Sequence, residues 1–222
     1  MVTLGMGLLF GKAKDRLEDP RDWGSFTLGR VGGLPLALSH RRPGTFELEL
    51  LLRVLPSQSG VRTVVGLGAA GALDRRLEPG DLLVPTRAGR GEGLSRYYLP
   101  PGATVRAEAR LVSRLKRAAG AAGARCWSGP VFTTGALLRE TPGRVARWRR
   151  AGFLAVECEA AALLALCRFC GLAGAVLLLI TDSPARGFLP RDEADWEAIR
   201  HGADRAVDAV LSVAAEAGRG GG

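Results

Sequence analysis

Gly174-Ala-Val-Leu-Leu-Leu-Ile-Thr181 is the most apolar stretch of this chain, and it shows no alternation. A strand with one wet face alternates apolar and polar residues, whereas a run like this one belongs to a strand buried on both faces. Such a strand needs cover on either side. Helices packed on both faces of a sheet supply it, which predicts an α/β fold. The run ends on Asp182, at the carboxyl end of the strand, where open α/β sheets place ligand-facing groups. A turn cap through an Asx bond is the equal alternative for that side chain.

The remaining pattern agrees with this class. Met1 to Phe10 reads as a short apolar strand, and Gly11 to Pro20 as a turn and a brief polar helix. Ser25–Val31 and Leu34–Ser39, separated by Gly32-Gly33, read as a hairpin. Thr45 to Leu55 is amphipathic, with Phe46, Leu50 and Val54 on one helical face. Val61–Val65 and Leu82–Pro85 read as strands, Ser95–Pro101 as an extended loop, and Ala107–Ala122 as a helix. Cys126–Thr133 is extended, Thr134–Pro142 a loop, and Val145–Ala151 an arginine-rich helix. Glu193 to Ala217 closes the chain as a helix. No internal repeat or linker interrupts this order, which predicts one domain over residues 1–217 and a flexible Gly-rich tail at 218–222.

The 222 residues, 47% hydrophobic and 24% charged, are ordinary for a globular domain of this size. No apolar run approaches the roughly 20 residues that span a bilayer. The N-terminus lacks the basic n-region and the cleavage pattern of a signal peptide, so a cytoplasmic setting is expected. Cys126, Cys158, Cys167 and Cys170 sit among Ala and Leu, which suits reduced buried thiols better than a disulfide framework or a metal site. The net charge of +9 comes from scattered arginines without aromatic interleaving. That pattern favours a solvated surface and small anionic ligands over a nucleic-acid or membrane partner.

Two motifs carry chemistry. In Phe153-Leu-Ala-Val-Glu157-Cys-Glu159-Ala-Ala-Ala-Leu163 a strand-like run meets two carboxylates and becomes a helix-like run. Acids at a helix start are favoured by its free N–H groups, so capping is the plain explanation for both. Gly66-Leu-Gly-Ala-Ala-Gly71 satisfies the dinucleotide-binding spacing, but that fingerprint requires a helix opening at the third glycine. Here Asp74 to Asp81 breaks the chain within two turns and a new strand follows. These glycines are expected instead to let backbone approach a small ligand or a neighbouring strand.

Taken in order, several segments resemble the nucleoside phosphorylase family, which includes uridine phosphorylase, purine nucleoside phosphorylase and the methylthioadenosine nucleosidases. The carriers are Gly68-Ala-Ala-Gly-Ala-Leu73, Pro79-Gly-Asp-Leu-Leu-Val-Pro85, Arg90-Gly-Glu-Gly-Leu-Ser95, Thr133-Thr134 before Arg139-Glu-Thr-Pro142, Val156 to Leu163, and Thr181-Asp-Ser183. The uridine phosphorylase branch is the most similar. The resemblance implies a three-layer α/β/α fold with a central mixed sheet, and pentosyl transfer from a nucleoside, uridine-type favoured, to inorganic phosphate with no other cofactor. It also implies a homo-oligomer, dimeric or hexameric. By position, Glu159 matches the ribose-binding glutamate, Cys158 the neighbouring sugar or base contact, Glu157 the preceding acid and Asp182 the acid assisting the leaving base. Thr134, Leu137, Ala69 and Gly71 fall in the substrate-binding segments.

The phosphate site departs from the family. The arginine that precedes the glycine segment and the hydroxyl within it are absent from Gly66-Leu-Gly-Ala69, and the N-terminal phosphate loop is reduced to Gly11-Lys-Ala-Lys-Asp15. Gly11, Gly68, Arg16 and Arg41 are the remaining candidates for an anion site, with Lys12, Arg42 or a neighbouring subunit's arginine beside them. The alternatives are a nucleosidase that uses water, and a nucleoside-binding protein without turnover.

Overall fold

The doubly buried run is strand β10 (Ala173–Asp182), and its alternate residues feed two separate cores. Val176, Leu178 and Ile180 face one, and Ala175, Leu177 and Leu179 the other. This is the two-fold alternation of strand side chains acting where both faces are dry. The computed structural model describes residues 2–5, 7–23, 26–39, 44–58, 60–187, 190 and 192–216. Arg41, Arg42 and the tail at 218–222 lie outside them.

The other strands are β1 (Val2–Gly5), β2 (Glu18–Trp23), β3 (Phe26–Val31), β4 (Leu34–Ser39), β5 (Thr63–Ala72), β6 (Leu82–Gly91), β7 (Val105–Arg106), β8 (Cys126–Thr134) and β9 (Ala155–Glu157). The helices are α1 (Gly7–Lys14), α2 (Thr45–Gln58), α3 (Ser95–Tyr98), α4 (Ala109–Ala121), α5 (Pro142–Arg150), α6 (Ala160–Phe169) and α7 (Glu193–Glu216). All ten strands join one mixed sheet in the order β10-β6-β8-β9-β5-β1-β4-β3-β2, with β7 on β6. Because β5 also pairs with β10 along its length, β10, β6, β8, β9 and β5 close into a ring from which β1, β4, β3 and β2 extend. Helices α2 and α6 cover one face, and α1, α4 and α7 the other. The fold is the α/β class expected, with a mixed central sheet between helices.

Four strands, β4, β1, β5 and β10, lie side by side and parallel. Their carboxyl ends, marked by Ser39, Gly5, Ala72 and Asp182, therefore open on one rim. Gly171, in the left-handed region at φ 68°, turns the chain out of α6 and into β10.

Some local expectations are corrected. The N-terminal strand stops at Gly5, and residues 7–14 are helical because Leu9 and Ala13, one turn apart, both pack into the core that α7 shares. The polar segment that follows is strand β2 rather than a helix. On α2 the inward residues are Leu48, Leu51 and Leu52, whereas Phe46 and Leu50 are exposed and the Val54 side chain lies outside the described residues. Ser95–Tyr98 forms a single helical turn, held where the Ser95 N–H donates to Glu92 Oε1 at 2.7 Å. The Arg90 guanidinium ties the same segment down by donating to the carbonyls of Ser95, Leu99 and Pro100.

Candidate active site

The glycine segment is the central stave of the sheet. Gly66 to Gly71 runs within β5, and no helix opens from it, so the dinucleotide fingerprint has no structural counterpart here. Each glycine has its own reason. A Cβ on Gly66 would stand 3.0 Å from Leu163 Cδ1, and one on Gly71 would stand 2.8 Å from Pro184 Cδ and 3.0 Å from Asp182 Oδ2. Gly68 has no such neighbour, the nearest atom being Leu178 Cδ2 at 3.7 Å. The backbone is thus bare where Asp182 approaches it and bare again where a cavity begins.

That cavity, about 380 Å³, lies at the carboxyl ends of the parallel strands, within the size range of small-molecule sites. Gly68, Ala69 and Gly71 line it from β5, Asp182 from β10, Leu137 from the loop after β8, and Cys158 and Glu159 from the β9–α6 junction. Leu48 and Leu51 of α2 close the far side. Across the sheet Ser39 and Asp182 are three strand spacings apart, or about 14 Å. A nucleoside fits that span.

The two acids of the β9–α6 junction divide their labour. Glu157 Oε2 accepts the N–H groups of Glu159 and Ala160 at 2.7 and 2.6 Å, and Oε1 accepts the Thr133 hydroxyl. Thr133 Oγ in turn accepts the Ala161 N–H at 2.9 Å. Glu157 is therefore the cap of α6, and burial pushes its carboxyl up to about 7 against these hydrogen bonds. Glu159 occupies the cap position itself but makes no side-chain cap bond. It lines the cavity, with its pKa raised by burial. Burial also raises Asp182, although the Thr181 hydroxyl, donating to Oδ1 at 2.9 Å, opposes this. Cys158 is pushed up to about 12, chiefly by burial and then by the charges of Glu159, Glu157 and Glu140, so its thiol keeps its proton.

Three residues were not foreseen from the sequence. Glu140 lines the cavity at 6% exposure, its carboxyl pushed up to about 7 by burial and then by the charge of Asp182. It precedes the Thr-Pro start of α5, which disguises it as a helix-start acid. Ser39 lines the opposite end, and its buried hydroxyl has no partner among the described residues. Glu47 lines the cavity from α2. No group of three or more metal-ligating side chains converges among the described residues.

The anion candidates are scattered. Gly68 lines the cavity, whereas Gly11 and Arg16 are not among its described lining residues. Arg16 pairs with Asp204 at 3.1 Å and with Asp208 at 3.3 Å, and Lys12 pairs with Asp204 at 2.7 Å, tying α1 to α7. Arg41 lies outside the described residues. Thr134 is buried and its hydroxyl accepts the Ala136 N–H at 3.2 Å, away from the described lining. No arginine, lysine or histidine is among the described lining residues.

Comparison with known proteins places this geometry. The profile of the phosphorylase superfamily matches residues 2–217. The chain belongs to the phosphorylase superfamily. Among curated members it is 35% identical over 121 residues to the guanosine phosphorylase of Halorubrum lacusprofundi, a match over 54% of this chain and half the length of that protein. It is 23% identical over 212 residues to the uridine phosphorylase of Haemophilus influenzae, covering 89% of this chain and 82% of that one. The crystal structure of uridine phosphorylase from Vibrio fischeri superposes with a TM-score of 0.86 at 18% identity, over 97% of this chain and 91% of that chain. The superfamily fold thus holds across nearly the whole chain while the sequence has diverged widely.

Proposed function

We propose that this phosphorylase-superfamily protein is a pentosyltransferase that cleaves the N-glycosidic bond of a nucleoside and passes the pentosyl group to phosphate. The observation that carries the reading is the presence of two half-buried carboxyls with raised pKa, Glu159 and Asp182, lining one cavity at the carboxyl ends of parallel strands. Glu159 accepts from the sugar hydroxyls and balances the positive charge that grows on the pentosyl ring as the bond to the base lengthens. The electron pair of the C1′–N bond goes to the base, and Asp182, whose affinity for a proton burial raises, serves as the acid that gives that nitrogen its proton. A phosphate oxygen then bonds to C1′, leaving free base and pentose 1-phosphate. Both a guanosine and a uridine phosphorylase are similar to this chain, so the base preference must come from its own cavity lining.

A second reading, cleavage by water, is favoured by one observation: the described lining has no cationic side chain, and phosphate binding ordinarily rests on charge-assisted arginine contacts. Incubation of the purified protein with a nucleoside panel, with and without phosphate, separates the two. Base released only with phosphate is the expected result. Release in both conditions assigns the protein to the hydrolases, and release in neither makes it a nucleoside-binding protein. The absence of any described helix long and apolar enough to cross a membrane, together with four free cysteines, supports a cytoplasmic setting for this chemistry.

A further inference from the structure

The cavity is rich in hydrogen-bond acceptors and poor in donors. Five acidic residues line it, Glu47, Glu140, Glu157, Glu159 and Asp182, whereas among the other described lining residues the side-chain donors are Ser39, Thr181 and Cys158. The Thr181 hydroxyl is already committed to Asp182, and Glu157 is committed to capping α6. Glu140 is different. It is 6% exposed, lines the cavity, and its side chain makes no hydrogen bond or ion pair among the described residues. Its charge acts on Cys158 on one side and its own pKa responds to Asp182 on the other, which sets it at the Asp182 end of the cavity, remote from Ser39.

A carboxylate without a protein partner accepts donors from what occupies the cavity, water or ligand. With Asp182 serving the leaving nitrogen, Glu140 meets an edge of the base. Uracil presents two carbonyl oxygens flanking a single N–H, so only one group of that edge can donate to a carboxylate. A 2-amino-6-oxopurine presents two adjacent N–H donors, from the ring nitrogen and the amino group, which a carboxylate accepts in bidentate fashion. We propose that Glu140 is the residue that reads the base, accepting from this paired N–H edge, so that guanosine-type nucleosides are preferred over inosine and uridine. This rests on the nucleoside reading above and departs from the uridine preference expected of the sequence.

The test uses the full chain at pH 8, where Glu140 is largely ionised. Turnover of guanosine, inosine and uridine is measured for the wild type and for Glu140→Gln, with calorimetric binding of the same three nucleosides alongside. Glutamine replaces one acceptor with a donor at constant shape. Glu140→Ala and a thermal melt of each variant check that any loss is local.

The wild type is expected to favour guanosine over inosine by at least about 10-fold, the lower range for a charged hydrogen bond. Glu140→Gln should lose at least that factor on guanosine and much less on inosine, bringing the ratio near one. A wild type that prefers uridine, or a variant that loses guanosine and inosine equally, overturns the assignment. Should no nucleoside turn over, the binding constants still decide: guanosine held at least about 10-fold more tightly than inosine, and only while Glu140 is present, sustains the base reading although the enzymatic one fails. Equal binding of all three nucleosides overturns it.

Discussion

At the scale of single residues, Glu157 and Glu159 stand two positions apart and do different work. Glu157 is consumed by backbone N–H groups and a threonine hydroxyl, whereas Glu159 caps nothing and is left for a ligand. Replacing Glu159 with glutamine should therefore leave the fold intact and lower kcat/KM for ribonucleosides by about 10- to 100-fold, the worth of a hydrogen bond to a charged group. The 2′-deoxy analogues, which have one hydroxyl fewer to offer, should lose much less. Equal losses in steady-state assays of both series would remove the sugar contact from Glu159. Sequence reasoning reached this pair because acids between two apolar runs demand a partner. It passed over Glu140 and Ser39 because their environment is assembled from segments distant along the chain.

Among elements, the junction of β8, β9 and α6 is the most tightly bound part of the site. Thr133 of β8 bridges Glu157 of β9 to the first turn of α6, so strand and helix share one buried carboxyl. That carboxyl has a usual value of 4.5 and stands at about 7 in the fold. Between those values the folded chain holds a proton that the unfolded chain has lost, so stability falls as pH rises through that window and levels off above it. The full effect is on the order of 3 kcal/mol. Urea melts at pH 5 and pH 8 should show the higher stability at pH 5, and Glu157→Gln should reduce the difference between them. A variant with the wild-type pH slope would place the proton elsewhere.

The sequence was also most legible at this scale. Strong local patterns, such as the all-apolar β10 and the polar-faced α4, α5 and α7, fall close to their expected bounds. The first twenty residues are less legible because α1 takes its conformation from packing against α7, and β2 from pairing with β3, rather than from their own periodicity. The face of α2 was misjudged for a related reason: its apolar residues exceed one stripe, and only the packed fold selects Leu48, Leu51 and Leu52 over Phe46 and Leu50.

At the scale of the whole molecule, large apolar side chains remain in the open. Phe46 is 64% exposed on α2, Tyr97 88% on α3 and Phe169 67% on α6, on elements that flank the cavity's own cover. We propose a homo-oligomer that buries them, and light scattering behind size exclusion should return a multiple of the monomer mass. A monomer at micromolar concentration would show that these side chains stay wet. The sheet itself restricts how such copies can meet. One end is consumed by the closed ring, and the other ends at β2, Glu18-Asp-Pro-Arg-Asp-Trp23, where Pro20 has no N–H to give, Asp19 sits at a positive φ of 50° and the register to β3 is broken. A border strand built this way resists extension by a further strand. Copies of this chain are thereby steered away from the continuous ladders that lead to fibres, and toward contacts between side chains that can come apart again.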